Sequence, residues 1–97
     1  VRLRYTGPAL AELISILDYI AEQSPHGAQR VQARIKAAIN LLQSHPQIGG
    51  RTDDPTIRRL LTTPYRYLVF YEIRMDEIII HAVRHASRDP ETPTRSE

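Results

Sequence analysis

The sequence predicts an α+β fold in the order β-α-α-β-β-β. Two helices form an antiparallel hairpin packed on one face of a twisted, mainly antiparallel sheet. Three observations lead there. Between Pro8 and Leu42, apolar residues recur at three- and four-residue steps, the period of a helix with one buried side. From Thr56 to Val83 the pattern changes to stretches rich in aromatic and β-branched residues. Prolines and glycines mostly fall between these segments or in a first helical turn.

The elements follow in order. "VRLRY" alternates, with Val1, Leu3 and Tyr5 on one face and Arg2 and Arg4 on the other, and reads as a short strand. Pro8 suits the first turn of helix one, where its missing N–H would have no partner anyway. Leu10, Leu13, Leu17 and Ile20 form that helix's expected stripe, widened by Ile14 and Ala21, with Glu12, Asp18 and Glu22 off it. Ser24 is placed to cap helix two, with Pro25 in its first turn. Val31, Ile35, Ala38, Ile39 and Leu42 make the second stripe. "SHPQIGGRTDDP" reads as a loop. "TIRRLLTT" and "YRYLVFYEI" read as strands split at Pro64, "RMDE" as a four-residue turn, and "IIIHAV" as a central strand buried on both faces. The domain is expected to span residues 1–90, with 91–97 a disordered tail poor in apolar residues.

Composition narrows the chemistry. The 97 residues suit one domain. Without cysteine there is no disulfide framework, thiolate metal site or cysteine nucleophile, which fits a cytoplasmic location. No apolar run reaches the ~18 residues of a spanning helix, so no membrane role is expected. The net charge is only +2, but of thirteen cationic side chains every one except Lys36 is arginine. Arginine's planar fork suits carboxylates and phosphates.

Catalytic and metal signals are sparse. His81 and His85 are four residues apart, which on a strand is about 13 Å, too far to share one ion. "IGGR" lacks the lysine and the hydroxyl residue of a phosphate-binding loop. No serine sits at a strand-to-helix elbow. No cofactor and no metal is expected. What stands out is "RHASRDP" at the end of the last strand, with Arg58, Arg59 and Arg66 on or beside the neighbouring strands. Arg84, His85, Arg88, Arg58, Arg59 and Arg66 are therefore the candidate target-binding residues.

The ordered set "PALAELISILDYIAEQSP", "ARIKAAINLLQSHPQIGGR", "IRRLLTTPYRYLVFYEI" and "DEIIIHAVRHASRDP" resembles the RelE/ParE superfamily of toxins from type II toxin–antitoxin systems, the ParE branch most closely. The resemblance covers Pro8 to Pro90 and implies a helical hairpin on an antiparallel sheet. It implies a non-catalytic inhibitor of DNA gyrase that blocks replication and is neutralised by a cognate antitoxin, ParD-like or other. The alternative branch comprises RelE-like, ribosome-dependent mRNA endoribonucleases; a third possibility is a degenerate member that binds antitoxin without toxicity. For a ribonuclease, the site would be Arg66, His85 and Arg88. This chain departs from that branch: Leu68 stands where the strand arginine belongs, Arg66 lies two positions earlier (about 6.6 Å away), and nothing beyond Arg88 supplies a Tyr or His.

Overall fold

A computed structural model describes residues 1–87. Arg88 and the expected disordered tail lie outside the described residues. The elements are β1 (Arg2–Tyr5), α1 (Gly7–Gln23), α2 (Pro25–Ser44), β2 (Gly50–Arg51), β3 (Arg58–Thr62), β4 (Tyr67–Arg74) and β5 (Glu77–His85). The strands form one sheet in the order β1-β5-β4-β3-β2. Every pairing is antiparallel except that of β1 with β5. The architecture is the expected one with an added strand, because the two residues of β2 pair with β3 from within the Gly-Gly loop. Among the described residues no helix is long and apolar enough to cross a membrane.

Local chemistry sets the hairpin. Thr6 caps α1, its hydroxyl accepting from the Ala9 N–H at 3.2 Å. Ser24 serves both helices. Its N–H donates to the Ile20 carbonyl at 2.8 Å, closing α1, and its Oγ accepts from the Gly27 N–H at 2.9 Å, opening α2. With one residue between them, the helices fold back on each other. α2 buries the expected stripe of Val31, Ile35, Ala38, Ile39 and Leu42. α1 is rotated from expectation. Ala9, Leu13, Ile16, Leu17 and Ile20 face the core, while Leu10 and Ile14 are 45% and 51% exposed. The helix carries two overlapping apolar stripes. The one realised is the one that turns Glu12 towards β5.

β4 and β5 form the centre of the core. On the helix side, Val69, Tyr71, Ile78, Ile80 and Val83 pack against both helices. On the far side, Leu68, Phe70 and Ala82 pack with Ile57. The connecting turn is shorter than expected: Arg74 pairs with Glu77, leaving only Met75 and Asp76 between strands. β4 begins at Tyr67, not Tyr65. The pairing shifts between Phe70–Ala82 and Tyr71–Ile80, so His81 is the extra residue of a β-bulge. Its ring is fully buried, with Nε2 2.9 Å from Glu72 Oε1.

The Gly-Gly pair has a steric cause. The Tyr71 hydroxyl donates to the Pro46 carbonyl at 2.7 Å and accepts from the Gly49 N–H at 2.9 Å. A Cβ on Gly49 would lie 2.4 Å from that hydroxyl and 2.9 Å from the Arg59 carbonyl. Arg58 reinforces the loop, donating to the carbonyls of Gly49 at 2.9 Å and Gln47 at 3.3 Å. Burial pushes the Tyr71 phenol above the ordinary tyrosine range, against the opposing pull of the Gly49 N–H and the Arg58 guanidinium.

Three predictions follow from this packing. Ile35→Ala and Ile39→Ala should each destabilise by about 2–5 kcal/mol in urea titrations, and half-buried Leu13 and Leu17 by less. Gly49→Ala should destabilise as well, whereas Gly50→Ala should be mild, since a Cβ there finds its nearest neighbour at 4.0 Å. Because the Tyr71 pKa is raised on folding, the unfolded chain ionises first. That contribution to stability is complete below about pH 10 and is lost as pH rises further. Tyr71→Phe should flatten the alkaline fall in melting temperature; an unchanged slope would show that Tyr71 is not its source.

Candidate functional site

β5 outlasts its outer neighbour. β1 ends at Tyr5, opposite Ile80, and the chain leaves for α1 as the Thr6 N–H bonds to the Ile80 carbonyl at 3.0 Å. Past that point Glu12 of α1 takes over. Its Oε1 accepts from the Val83 N–H at 3.1 Å and its Oε2 from Arg84 Nε at 3.3 Å. The Arg84 guanidinium also lies 5.9 Å from the Phe70 ring centroid, so the side chain wraps the strand edge between the two sheet faces. A cavity of about 670 Å³ opens here, with Glu12, Ile16 and Tyr19 on the helix side and Tyr67, Arg84 and His85 on the strand side.

His85 packs edge-to-face on Tyr67, centroids 5.2 Å apart. Its Nδ1 accepts from the Ser87 N–H at 3.1 Å. A backbone N–H can only donate, so in the neutral ring the proton sits on Nε2.

A second, shallower cavity of about 310 Å³ lies on the sheet face away from the helices. Gly50, Arg59, Leu61, Arg66, Leu68 and Ala86 line it. Arg59 and Arg66 are exposed, and neither guanidinium has a hydrogen-bond or ion-pair partner among the described residues. Arg66 is not on a strand. It closes the β3–β4 turn with φ 60°, its N–H bonded to the Thr62 carbonyl at 2.8 Å and its carbonyl accepting from the Ala86 N–H at 2.9 Å. A left-handed backbone at a non-glycine residue carries strain, which is commonest at functional positions.

The six sequence candidates therefore divide. Arg59 and Arg66 share the far-face cavity; Arg84 and His85 share the groove beside α1. Arg58 is committed to holding the loop. Arg88 lies outside the described residues. Arg66 and His85 sit on adjoining backbone segments, since the Ala86 N–H bonds to the Arg66 carbonyl, yet their side chains line different cavities. Sequence reasoning missed Glu12. Its signal was slight: an acid lying beside the apolar stripe of α1. Among the described residues no cluster of His, Asp or Glu suits a metal ion.

Comparison with known proteins identifies the family and the fold. A family model described as the ParE toxin of type II toxin–antitoxin system, parDE, matches residues 3–90. Toxin RelE2 of Caulobacter vibrioides is 38% identical over 84 residues, covering 87% of this chain and 93% of that protein. The putative toxin Y4kP of Sinorhizobium fredii is 35% identical over 85 residues, covering 88% of each. A solved structure titled "Chromosomal ParDE TA system from P. aeruginosa" has the same fold, with a TM-score of 0.76 at 23% identity, over 88% of this chain and 95% of that one. The chain belongs to the ParE family of toxins of type II toxin–antitoxin systems.

Proposed function

We propose that this toxin arrests growth by binding DNA gyrase without catalysing a reaction itself, and that a cognate antitoxin holds it inactive. The observation that carries this reading is the separation of the ribonuclease candidates. Cleaving a phosphodiester requires a proton acceptor or donor and phosphate-binding groups within hydrogen-bond reach of one bond. Arg66 and His85 line different cavities. Leu68, at the position of the nuclease's strand arginine, is a buried floor residue. Arg59 and Arg66 instead offer two exposed forks, without partners among the described residues, over an apolar floor, a surface suited to gripping an acidic target.

The antitoxin reading rests on family membership and on apolar surface. Tyr19 of α1 is 55% exposed and lines the large groove together with half-buried Ile16 and Ile20. An amphipathic segment covering them would remove that surface from water.

The functions separate in living cells. On induction, DNA synthesis should stop before translation does, and co-expressed antitoxin should restore growth. Collapse of mRNA with replication intact would reverse the assignment. His85→Gln should leave toxicity nearly intact; a ribonuclease would instead lose about 10²–10⁴-fold in mRNA cleavage. Arg59→Ala and Arg66→Ala should weaken gyrase inhibition with little change in melting temperature. Arg58→Ala should lower the melting temperature first. Arg66→Gly should raise stability by about 1 kcal/mol, the strain of the left-handed backbone, while still losing toxicity. Unchanged toxicity in all three exposed-arginine variants would remove the far face from the target interface.

A further inference from the structure

Several arginines of this sheet are answered by carboxylates. Arg4 meets Glu77 at 3.0 Å, Arg74 meets Glu72 at 3.1 Å and Arg84 meets Glu12 at 3.3 Å. Arg59 and Arg66 are different: neither guanidinium has such a partner among the described residues. Strand register gives the reason for Arg59. Directly opposed residues of an antiparallel pair share a face, and opposite charges there attract. Arg59 is opposed by Phe70 on one side and Gly50 on the other, so neither neighbour offers a carboxylate. The backbone does not require glycine at position 50. Its φ is not positive, and a Cβ there would find its nearest neighbour at 4.0 Å. A larger residue would fit, yet it would stand beside Arg59.

Arg66 borders the same hollow from the β3–β4 turn, and the turn is fastened around it. The buried Thr62 hydroxyl donates to the Tyr67 carbonyl at 3.1 Å and accepts from the Tyr67 N–H at 3.3 Å. Arg34 of α2 donates to the Thr63 carbonyl at 2.6 Å. The N–H and carbonyl of Arg66 are both bonded within the fold, so its exposed guanidinium is what remains for a ligand.

The hollow has an apolar floor of Leu61, Leu68 and Ala86, and no aspartate or glutamate lines it. Arg66 lies four residues before Phe70, the partner of Arg59, which is roughly 13 Å along the strand direction. A single carboxylate has two oxygens and is satisfied by one fork. Two forks set apart over a floor without hydrogen-bonding side chains match an anion that repeats. A nucleic-acid backbone is such an anion, with phosphates at regular intervals and sugar carbons between them.

We propose that the hollow between Arg59 and Arg66 binds the phosphate backbone of the DNA that gyrase holds, so that part of the toxin's grip falls on DNA. The proposal rests on the gyrase reading above and specifies the chemistry of the far face.

The full toxin chain, freed from antitoxin, tests this in titrations against gyrase with and without a short linear duplex. The duplex should tighten wild-type binding by about tenfold or more, the scale of a charge-assisted contact. Arg59→Ala and Arg66→Ala should lose that gain yet bind DNA-free gyrase as the wild type does. Each should lower the log–log salt slope for the gyrase–duplex complex by about 0.9, one phosphate contact. Gly50→Glu sets a carboxylate beside Arg59 without crowding the backbone, and should lose the gain as well; Gly50→Gln should keep it. These two variants decide the matter if an arginine variant folds poorly. Binding indifferent to the duplex would overturn the proposal. So would arginine variants that lose affinity equally with and without DNA, since the forks would then grip gyrase itself. Tighter binding of the toxin alone to single-stranded RNA than to the duplex would overturn it in favour of RNA. No binding to gyrase in either form would overturn the gyrase reading itself, which is a different result from binding that ignores DNA.

Discussion

From Leu68 to Glu72 and from Ile78 to Val83 the β4–β5 pair has almost no contact with water on either face. The rest of the molecule is arranged around that burial. The helical hairpin covers one face, and Ile57 with the start of β3 covers part of the other. Doubly buried strands are hydrophobic on consecutive residues, so a polar residue among them must find an internal partner. His81 does so by meeting Glu72, whose other oxygen accepts from Arg74 Nε at 3.1 Å. The bulge at His81 shifts the register there and lets the strand continue to His85.

That continuation generates the candidate site. β5 has nine residues and β1 four, so the last part of β5 projects past its neighbour. The projecting end needs something other than a strand to meet its edge, and α1 supplies Glu12. The same end carries Arg84 and His85, while the adjoining β3–β4 turn carries Arg66. Two surfaces thus arise from one strand end. One is a groove against α1, bordered by Glu12 and apolar side chains; the other is a far-face hollow with two exposed guanidiniums. A toxin that must meet both a target and an antitoxin has use for separate surfaces.

Two local details bind stability to function. Gly49 exists to let the Tyr71 hydroxyl approach the loop backbone, and Arg58 fastens the same loop through its carbonyls. An arginine that reads as one of a cationic cluster is therefore a structural clamp, while its neighbour Arg59, facing the other way, is exposed. Arg66 shows the converse. Its left-handed backbone is a place where glycine would be easier, and the side chain it keeps is exposed.

The order of elements, the helix caps at Ser24 and Pro25, the α2 stripe and the buried character of the last strand were all legible in the sequence. Each depends on neighbours within a few residues: helical period, a capping hydroxyl, a β-branched run. The family was legible for the same reason, since its markers are ordered local stretches. The choice between two overlapping stripes on α1 was not legible, because it depends on how the helix packs against strands far along the chain. Nor was β2, which forms only because β3 offers an edge to a Gly-Gly loop. The arginines were visible as a group, but their division into clamp, groove and far-face pair was not. Composition records which charges a chain carries; strand register and the parity of side-chain alternation decide which face each one reaches, and only the assembled sheet sets those.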